Sequence, residues 1–252
     1  MAKATVLIAT CAALLSTAPC SAQICIEPPS GIVSWWRAEL DTTDEVGSNH
    51  GTPIGGASYD VGEVGQAFDL LPATAHVSVL DDPSLRPQQL TIEGWSRATL
   101  NDDGFIAALS GHDGLTGYEL GRKSGGAQLR FTLNGGADGA DVWGGPDISD
   151  DQWHHVAATY DGAMLKVFVD GALVARKRST TTVTYDVTAP LMIGKRQFGP
   201  MPGHWQGFID ELTLYDRVLC RAEIEAIAVA GLAGKCTTGG GVTVTCPLFE
   251  DD

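Results

Sequence analysis

The chain has 252 residues, with 16 Lys and Arg against 31 Asp and Glu, for a formal net charge of −15. That length fits one large β domain behind a leader, since sandwiches and barrels reach this size undivided. So acidic a chain excludes nucleic acid and anionic membranes as partners, because both bind basic surfaces, and leaves solubility or cation binding as the role of the charge.

Residues 1–22 carry Lys3, an apolar run from Ala4 through Leu15, and small residues ending in Cys20-Ser21-Ala22. This is the pattern of a secretory signal peptide cut after Ala22. The apolar run is shorter than the roughly 20 residues a membrane span needs, and no later segment is long and apolar enough for one. Lipid attachment at Cys20 is the weaker alternative, since Pro19 is a poor neighbour for that processing. Cleavage removes Lys3 and no acid, so the mature charge is 15 − 31, or −16.

Short stretches rich in Val, Ile, Thr and aromatics then recur between Gly, Asp, Asn and Pro, as in an antiparallel sandwich. Strands are expected at 32–36, 66–71, 76–80, 90–98, 105–110, 118–122, 128–133, 154–160, 164–169, 173–178, 191–194 and 206–215. Val156, Ala158 and Tyr160 alternate, as do Leu165, Val167 and Val169. With Asp161-Gly162 and Asp170-Gly171 as turns, these segments form a three-stranded meander. The Gly-rich stretches 124–127 and 134–145 are expected to be rim loops. Within the second, 135–141 faintly resembles a calcium-binding nonapeptide repeat, but it occurs once and such repeats need neighbours to stack on.

One helix is expected at 222–230, with Ile224, Ile227 and Ala228 on one side and Gly231 as its stop. Glu223 stands where a capping-box acid belongs, three residues after Cys220. A cysteine at the cap is a weak choice, which suggests that Cys220 is there to bond elsewhere.

Cys11 and Cys20 leave with the signal, so Cys25, Cys220, Cys236 and Cys246 remain as an even set in an exported protein. Three pairings are possible. The preferred one joins Cys25 to Cys236 across the ends of the domain and Cys220 to Cys246 at the tail. Zinc is the competing use, against which stand the lack of close Cys pairs and of nearby His. The domain is accordingly expected at 23–236, followed by a disulfide-tethered acidic tail at 237–252.

Several segments carry a resemblance to a known family. They are Gly31-Ile32-Val33-Ser34-Trp35-Trp36, Asn49-His50-Gly51-Thr52, Val64-Gly65-Gln66-Ala67-Phe68 and Leu90-Thr91-Ile92-Glu93-Gly94-Trp95. Trp153-His154-His155-Val156-Ala157, Phe168-Val169-Asp170-Gly171, Gly207-Phe208-Ile209-Asp210-Glu211-Leu212 and Ala222-Glu223-Ile224 follow in the same order. Together they resemble the laminin-G-like jelly rolls of the concanavalin A-like lectin and glucanase fold, over about residues 31–231. The resemblance implies an all-β, two-sheet antiparallel sandwich of six or seven strands per sheet, with extracellular binding roles. One departure is Leu70-Leu71-Pro72-Ala73-Thr74-Ala75-His76, where the family usually has a Gly and paired acids before the next strand.

The chemistry favours a non-catalytic binding module. Glycosidases of this fold class carry Glu-x-Asp-x-x-Glu on one strand, and retaining hydrolysis needs two carboxyls about 5 Å apart; the motif is absent. Asp210 and Glu211 are neighbours, and on a regular strand they face opposite ways. The sequence has no Gly-x-Ser-x-Gly elbow, and His154, His155 and His204 read as structural or surface residues. Calcium fits the acidic composition better, since it takes several oxygens from carboxylates and loop carbonyls. By resemblance, Asp210 on the last long strand and Asp44 of the N-terminal loop would hold one ion; the alternative is that Asp210 binds only loop amides.

Trp35, Trp36, Trp95 and Trp153 lie in strand segments and belong to the core or its edges. Trp143 and Trp205 lie nearer Gly- and Pro-rich loops and are the candidates for stacking on a sugar. The expectation is therefore a secreted module that recognises an extracellular glycan through its rim, with one structural calcium; a protein ligand without sugar specificity is the rival. Oligomeric state is not legible from the sequence.

Overall fold

The computed structural model describes residues 24–98, 104–123, 126–197 and 203–247. The expected signal peptide and the acidic end at 250–252 lie outside them. The strands are β1 (Ile32–Trp36), β2 (Gly51–Ile54), β3 (Ser58–Val61), β4 (Gln66–Asp69), β5 (His76–Val79), β6 (Leu90–Ala98), β7 (Phe105–Ser110), β8 (Gly117–Arg122), β9 (Leu129–Leu133), β10 (Asp141–Gly144), β11 (His154–Tyr160), β12 (Met164–Val169), β13 (Ala172–Arg178), β14 (Leu191–Ile193) and β15 (Gly207–Tyr215). They form two antiparallel sheets. The eight-stranded sheet runs β13-β12-β11-β6-β15-β4-β3, with β1 also paired to β15; the seven-stranded sheet runs β10-β9-β8-β7-β14-β5-β2.

Alternation along the strands sends one set of side chains between the sheets. Ile92, Val156, Val167 and Leu214 of the eight-stranded sheet share a core with Val77, Leu109, Leu120 and Phe131 of the other. Burial of each such side chain is worth about 1.5–3 kcal/mol. The outer face of the larger sheet is covered as well. The helix α1 (Arg221–Ala230) lays Ile224 and Ile227 against Ala157, Phe168 and Tyr215. Its cap works through Glu223, whose Oε2 accepts the Cys220 backbone N–H at 2.9 Å while the same carboxylate is forked by Arg217 at 2.6 and 2.9 Å.

The meander appears as expected, with β11 paired to β12 and β12 to β13. Its second turn has both Asp170 (φ 51°) and Gly171 (φ 78°) in the left-handed region, the geometry that suits Asp-Gly. Cys25 bonds Cys236 (Cα–Cα 5.2 Å) and Cys220 bonds Cys246 (Cα–Cα 5.9 Å). The first bond holds Ile26 beside Lys235 and so straps the C-terminal segment across the domain.

Three strands went unexpected: β2, β3 and β10. All three are edge strands. With one partner and one packed side, an edge needs no apolar alternation, and it tolerates Pro53 in β2 for the same reason. The expected loop at 134–145 is thereby corrected. Its first part is a run of tight turns, but Asp141–Gly144 is a strand, pairing Trp143 with Arg130 of β9.

Candidate functional site

Two places concentrate chemistry. The first is where β1 and β4 share one edge of β15. β4 pairs with Phe208 and Ile209, and β1 with Leu212, Thr213, Leu214 and Tyr215. Between them the register of β15 against β6 shifts from Asp210–Trp95 to Thr213–Glu93, with Glu211 at φ 56°. This is a β-bulge, and Ile209 and Leu212 on either side of it both enter the inter-sheet core. Asp210 and Glu211 therefore both face outward, which corrects the expectation of opposite faces. Gly94 lets the bulge approach closely, since a Cβ there would lie 3.1 Å from the Asp210 carbonyl oxygen and from the Leu212 Cα.

Asp210 is fully buried. Its Oδ2 accepts the Val64 N–H at 2.8 Å, while its Oδ1 has no hydrogen-bond partner. Burial first, and then the facing charge of Glu211, push its carboxyl up to about 9, with Glu39 adding to the effect. Asp210 is thus neutral at pH 7 unless a cation joins it. Glu39 gets there because the chain leaves β1 alongside the bulge; its Oε1 lies 3.4 Å from the Gln66 N–H of the same loop that contacts Asp210.

Asp44 does not join this group. Its Oδ1 accepts the N–H groups of Trp35 (3.0 Å) and Val46 (3.2 Å), and its Oδ2 that of Asn49 (3.1 Å). The side chain clamps its own loop, and the acids that act on Asp210 are Glu211 and Glu39. Pairing Asp44 with Asp210 is corrected on that ground. Register would have indicated Glu39, three residues beyond the Trp36–Leu212 pair.

Beside the bulge, carboxylates from distant strands converge. Lys235 Nζ lies 3.0 Å from Glu93 Oε1 of β6 and 3.5 Å from Glu211 Oε2 of β15. Glu93 Oε2 meets His155 Nε2 at 3.0 Å, Tyr215 donates to Oε1 at 3.1 Å, and the Trp35 indole donates to Glu211 at 3.0 Å. Burial would raise Glu93, but Lys235 and His155 outweigh it and hold the carboxyl at about 2. Burial outweighs Lys235 and Arg37 at Glu211, which is raised. Lys235 itself is raised, because its two glutamates overcome the cost of burial. Glu93, Lys235 and Glu211 have side chains 0–2% exposed, so this network is sealed and already neutralised.

The second place is an open hollow where the edge strands β10 and β13 of the two sheets meet. Gly144 makes the approach close: a Cβ there would sit 2.8 Å from that of Ala175. The hollow, ≈ 180 Å³, is lined by Asp141, Val142, Trp143, Ala175, Arg176 and Lys177. Trp143 is 40% exposed, and Lys123 Nζ lies 4.6 Å from its ring centroid.

Trp205 is corrected. It is fully buried, packed against Arg122 with the guanidinium carbon 4.7 Å from its ring, and its indole donates to the Phe208 carbonyl at 3.3 Å. A fully covered indole presents no face for a sugar to stack on. Trp35, Trp36 and Trp95 are buried, and Trp153 packs against Phe208 (centroids 6.3 Å).

Residues 72–225 match a laminin G family model of the concanavalin A-like lectin/glucanases superfamily, and the chain belongs to that family. No curated protein matches the sequence. Among solved structures, the chain is similar to domain 4 of AbnA, a GH43 extracellular arabinanase from Geobacillus stearothermophilus, determined with arabinotriose. The TM-score is 0.61 at 18% identity, over 78% of this chain and 98% of that one. It is also similar to the binding domain of Paraclostridial Mosquitocidal Protein 1 (TM-score 0.60, 16% identity, 79% of this chain and 52% of that one). A third is the binding domain of Botulinum Neurotoxin DC in complex with SialylT (TM-score 0.58, 13% identity, 79% and 51%). The chain spans about half the length of these two toxin binding domains. The likeness is one of fold.

Proposed function

We propose that this protein is a secreted, non-catalytic module that binds an extracellular carbohydrate, and that the Trp143 hollow is its site. The observation that carries the reading is an indole 40% exposed beside polar and charged side chains, where the other strand tryptophans are covered. An exposed indole offers a flat apolar face to a sugar ring, with polar groups nearby to bond its hydroxyls. Structural neighbours determined with arabinotriose and SialylT support a sugar as ligand. The neurotoxin domain was also determined with rat synaptotagmin II, which is the support for a protein ligand instead.

Against catalysis stands the sealing of Glu93 and Glu211 beneath Lys235, since no substrate reaches that pair. Two disulfides fit an exported protein, and no helix of the described residues is long and apolar enough to cross a membrane. A glycan array tests the function: binding that disappears in Trp143→Ala at unchanged melting temperature supports it, whereas binding only to protein ligands refutes it.

A structural calcium belongs to the same reading. The buried, partnerless Asp210 Oδ1 with Glu39 and Glu211 facing it suits a cation, and Asp210 and Glu39 are the residues that would hold one. Among the described residues these carboxylates do not form a three-ligand cluster, so backbone carbonyls or water must complete the shell. The ion would supply charge neutralisation and tie the two chain segments to the bulge. Calorimetry with calcium after chelation decides the matter, and an absence of both heat and a melting shift ends the idea.

A further inference from the structure

We propose that the Trp143 hollow takes an acidic saccharide, carboxylated or sulfated, with Arg176 and Lys177 meeting its charge; this rests on the carbohydrate reading above. The chain carries a net −15, yet β13 ends in three consecutive cations, Arg176, Lys177 and Arg178, all exposed. Lys123 brings a fourth to the face of Trp143. None of the four forms an ion pair among the described residues.

The one acid in the hollow is already engaged. Asp141 Oδ1 accepts from Arg130 Nε at 2.7 Å and from the Thr132 hydroxyl at 3.1 Å, so its charge is met from the β9 side. An arriving anion therefore finds cations with no internal counter-ion to displace. Acids elsewhere on the surface are screened beyond about 8 Å at physiological salt, so they repel a polyanion from other faces without cancelling this one.

The groups also fit the chemistry of a sugar acid. A guanidinium fork matches the two oxygens of a carboxylate or sulfate, and lysine supplies a mobile point charge. The indole takes the apolar face of the ring. The hollow is smaller than the roughly 300–1,000 Å³ of drug-sized pockets, so it holds a single charged residue of a chain that runs on over open surface.

The test is a binding screen of the full chain with four probe sets. These are carboxylated oligosaccharides (polygalacturonate, alginate), sulfated ones (chondroitin sulfate), neutral arabino- and gluco-oligosaccharides, and polyglutamate as a polyanion without sugar. The expected result is binding of one or both acidic sets about tenfold or more above the neutral set, weakening in raised salt. The charge arm that binds identifies the acid. Arg176→Ala/Lys177→Ala and the milder Arg176→Gln/Lys177→Gln lose that preference at unchanged melting temperature, and Trp143→Ala loses binding.

Equal binding of neutral glycans through Trp143 overturns the acidic preference and leaves the carbohydrate reading standing. Polyglutamate binding as tightly as the sugars, with Trp143→Ala without effect, overturns it as charge attraction alone. No binding of any saccharide removes both.

Discussion

Lys235→Met is expected to destabilise the protein strongly, because it takes away the one ammonium shared by two buried carboxylates in the outer layer of the larger sheet. The native ammonium is buried at 3.0 Å from Glu93 and 3.5 Å from Glu211. Glu93 is held at about 2 against an ordinary 4.5, which corresponds to about 3 kcal/mol of stabilisation at neutral pH, shared between Lys235 and His155. Removing one member of a buried pair costs about 3–5 kcal/mol by general experience. For a domain of this size that lowers Tm by roughly 6–20 °C. The sign with pH follows from a depressed carboxyl. Its contribution is present above the unfolded value and is lost as pH falls through the folded one, so the deficit shrinks as pH falls from about 4.5 to about 2. Adding Glu93→Gln removes one stranded charge and restores part of the loss. Thermal unfolding followed by circular dichroism reads all three, and a Lys235→Met chain melting within 2 °C of native at pH 7 would show that the buried ammonium does not hold the two glutamates.

Other consequences are accessible to the same assay. Trp205→Ala opens a core cavity and costs about 3–5 kcal/mol, while a folded variant at low temperature binds saccharide as the native chain does; selective loss of binding contradicts its placement in the core. His154 lies 2.9 Å from Asp170 and 3.1 Å from Asp150, and the Asp170 bond raises its pKa against the cost of burial. That contribution is full below the unfolded value of 6.5 and is lost as pH rises through the folded one. His154→Asn therefore lowers Tm more at pH 6 than at pH 8.5, and an equal loss at both contradicts the ion pairs. The Cys25–Cys236 bond spans 211 residues and Cys220–Cys246 spans 26. On loop entropy, removing the first as a Ser pair costs about 5 kcal/mol and the second about 3.5; guanidinium unfolding that ranks them in reverse contradicts this.

The central strands were legible because they are packed on both sides. β6, β11 and β15 carry enough Val, Ile, Leu and aromatics at the two-residue period for the pattern to show. The edges were not. Ser58–Val61 and Asp141–Gly144 have no such alternation, since one side meets solvent, and the position of Trp143 on a strand went unread with them. The bulge at Asp210 and Glu211 was hidden for a different reason: nothing in two adjacent acids announces that a left-handed backbone at Glu211 turns both outward. Trp205 lies in a polar, Gly-rich setting, and only the folding of β15 behind it explains why it is interior. The basic run Arg176-Lys177-Arg178 was visible in an acidic chain, but its meaning depends on β10 lying alongside.

A sugar lying on Trp143 is read out by tryptophan fluorescence during titration with the saccharide that the binding screen selects. Trp35, Trp36, Trp95 and Trp205 are buried, Trp153 is half-buried and Trp143 is exposed, so Trp143→Phe separates the emission of Trp143 from that of Trp153. A saturable change in the native chain that is absent in Trp143→Phe is the predicted result. The same change persisting in Trp143→Phe would contradict it.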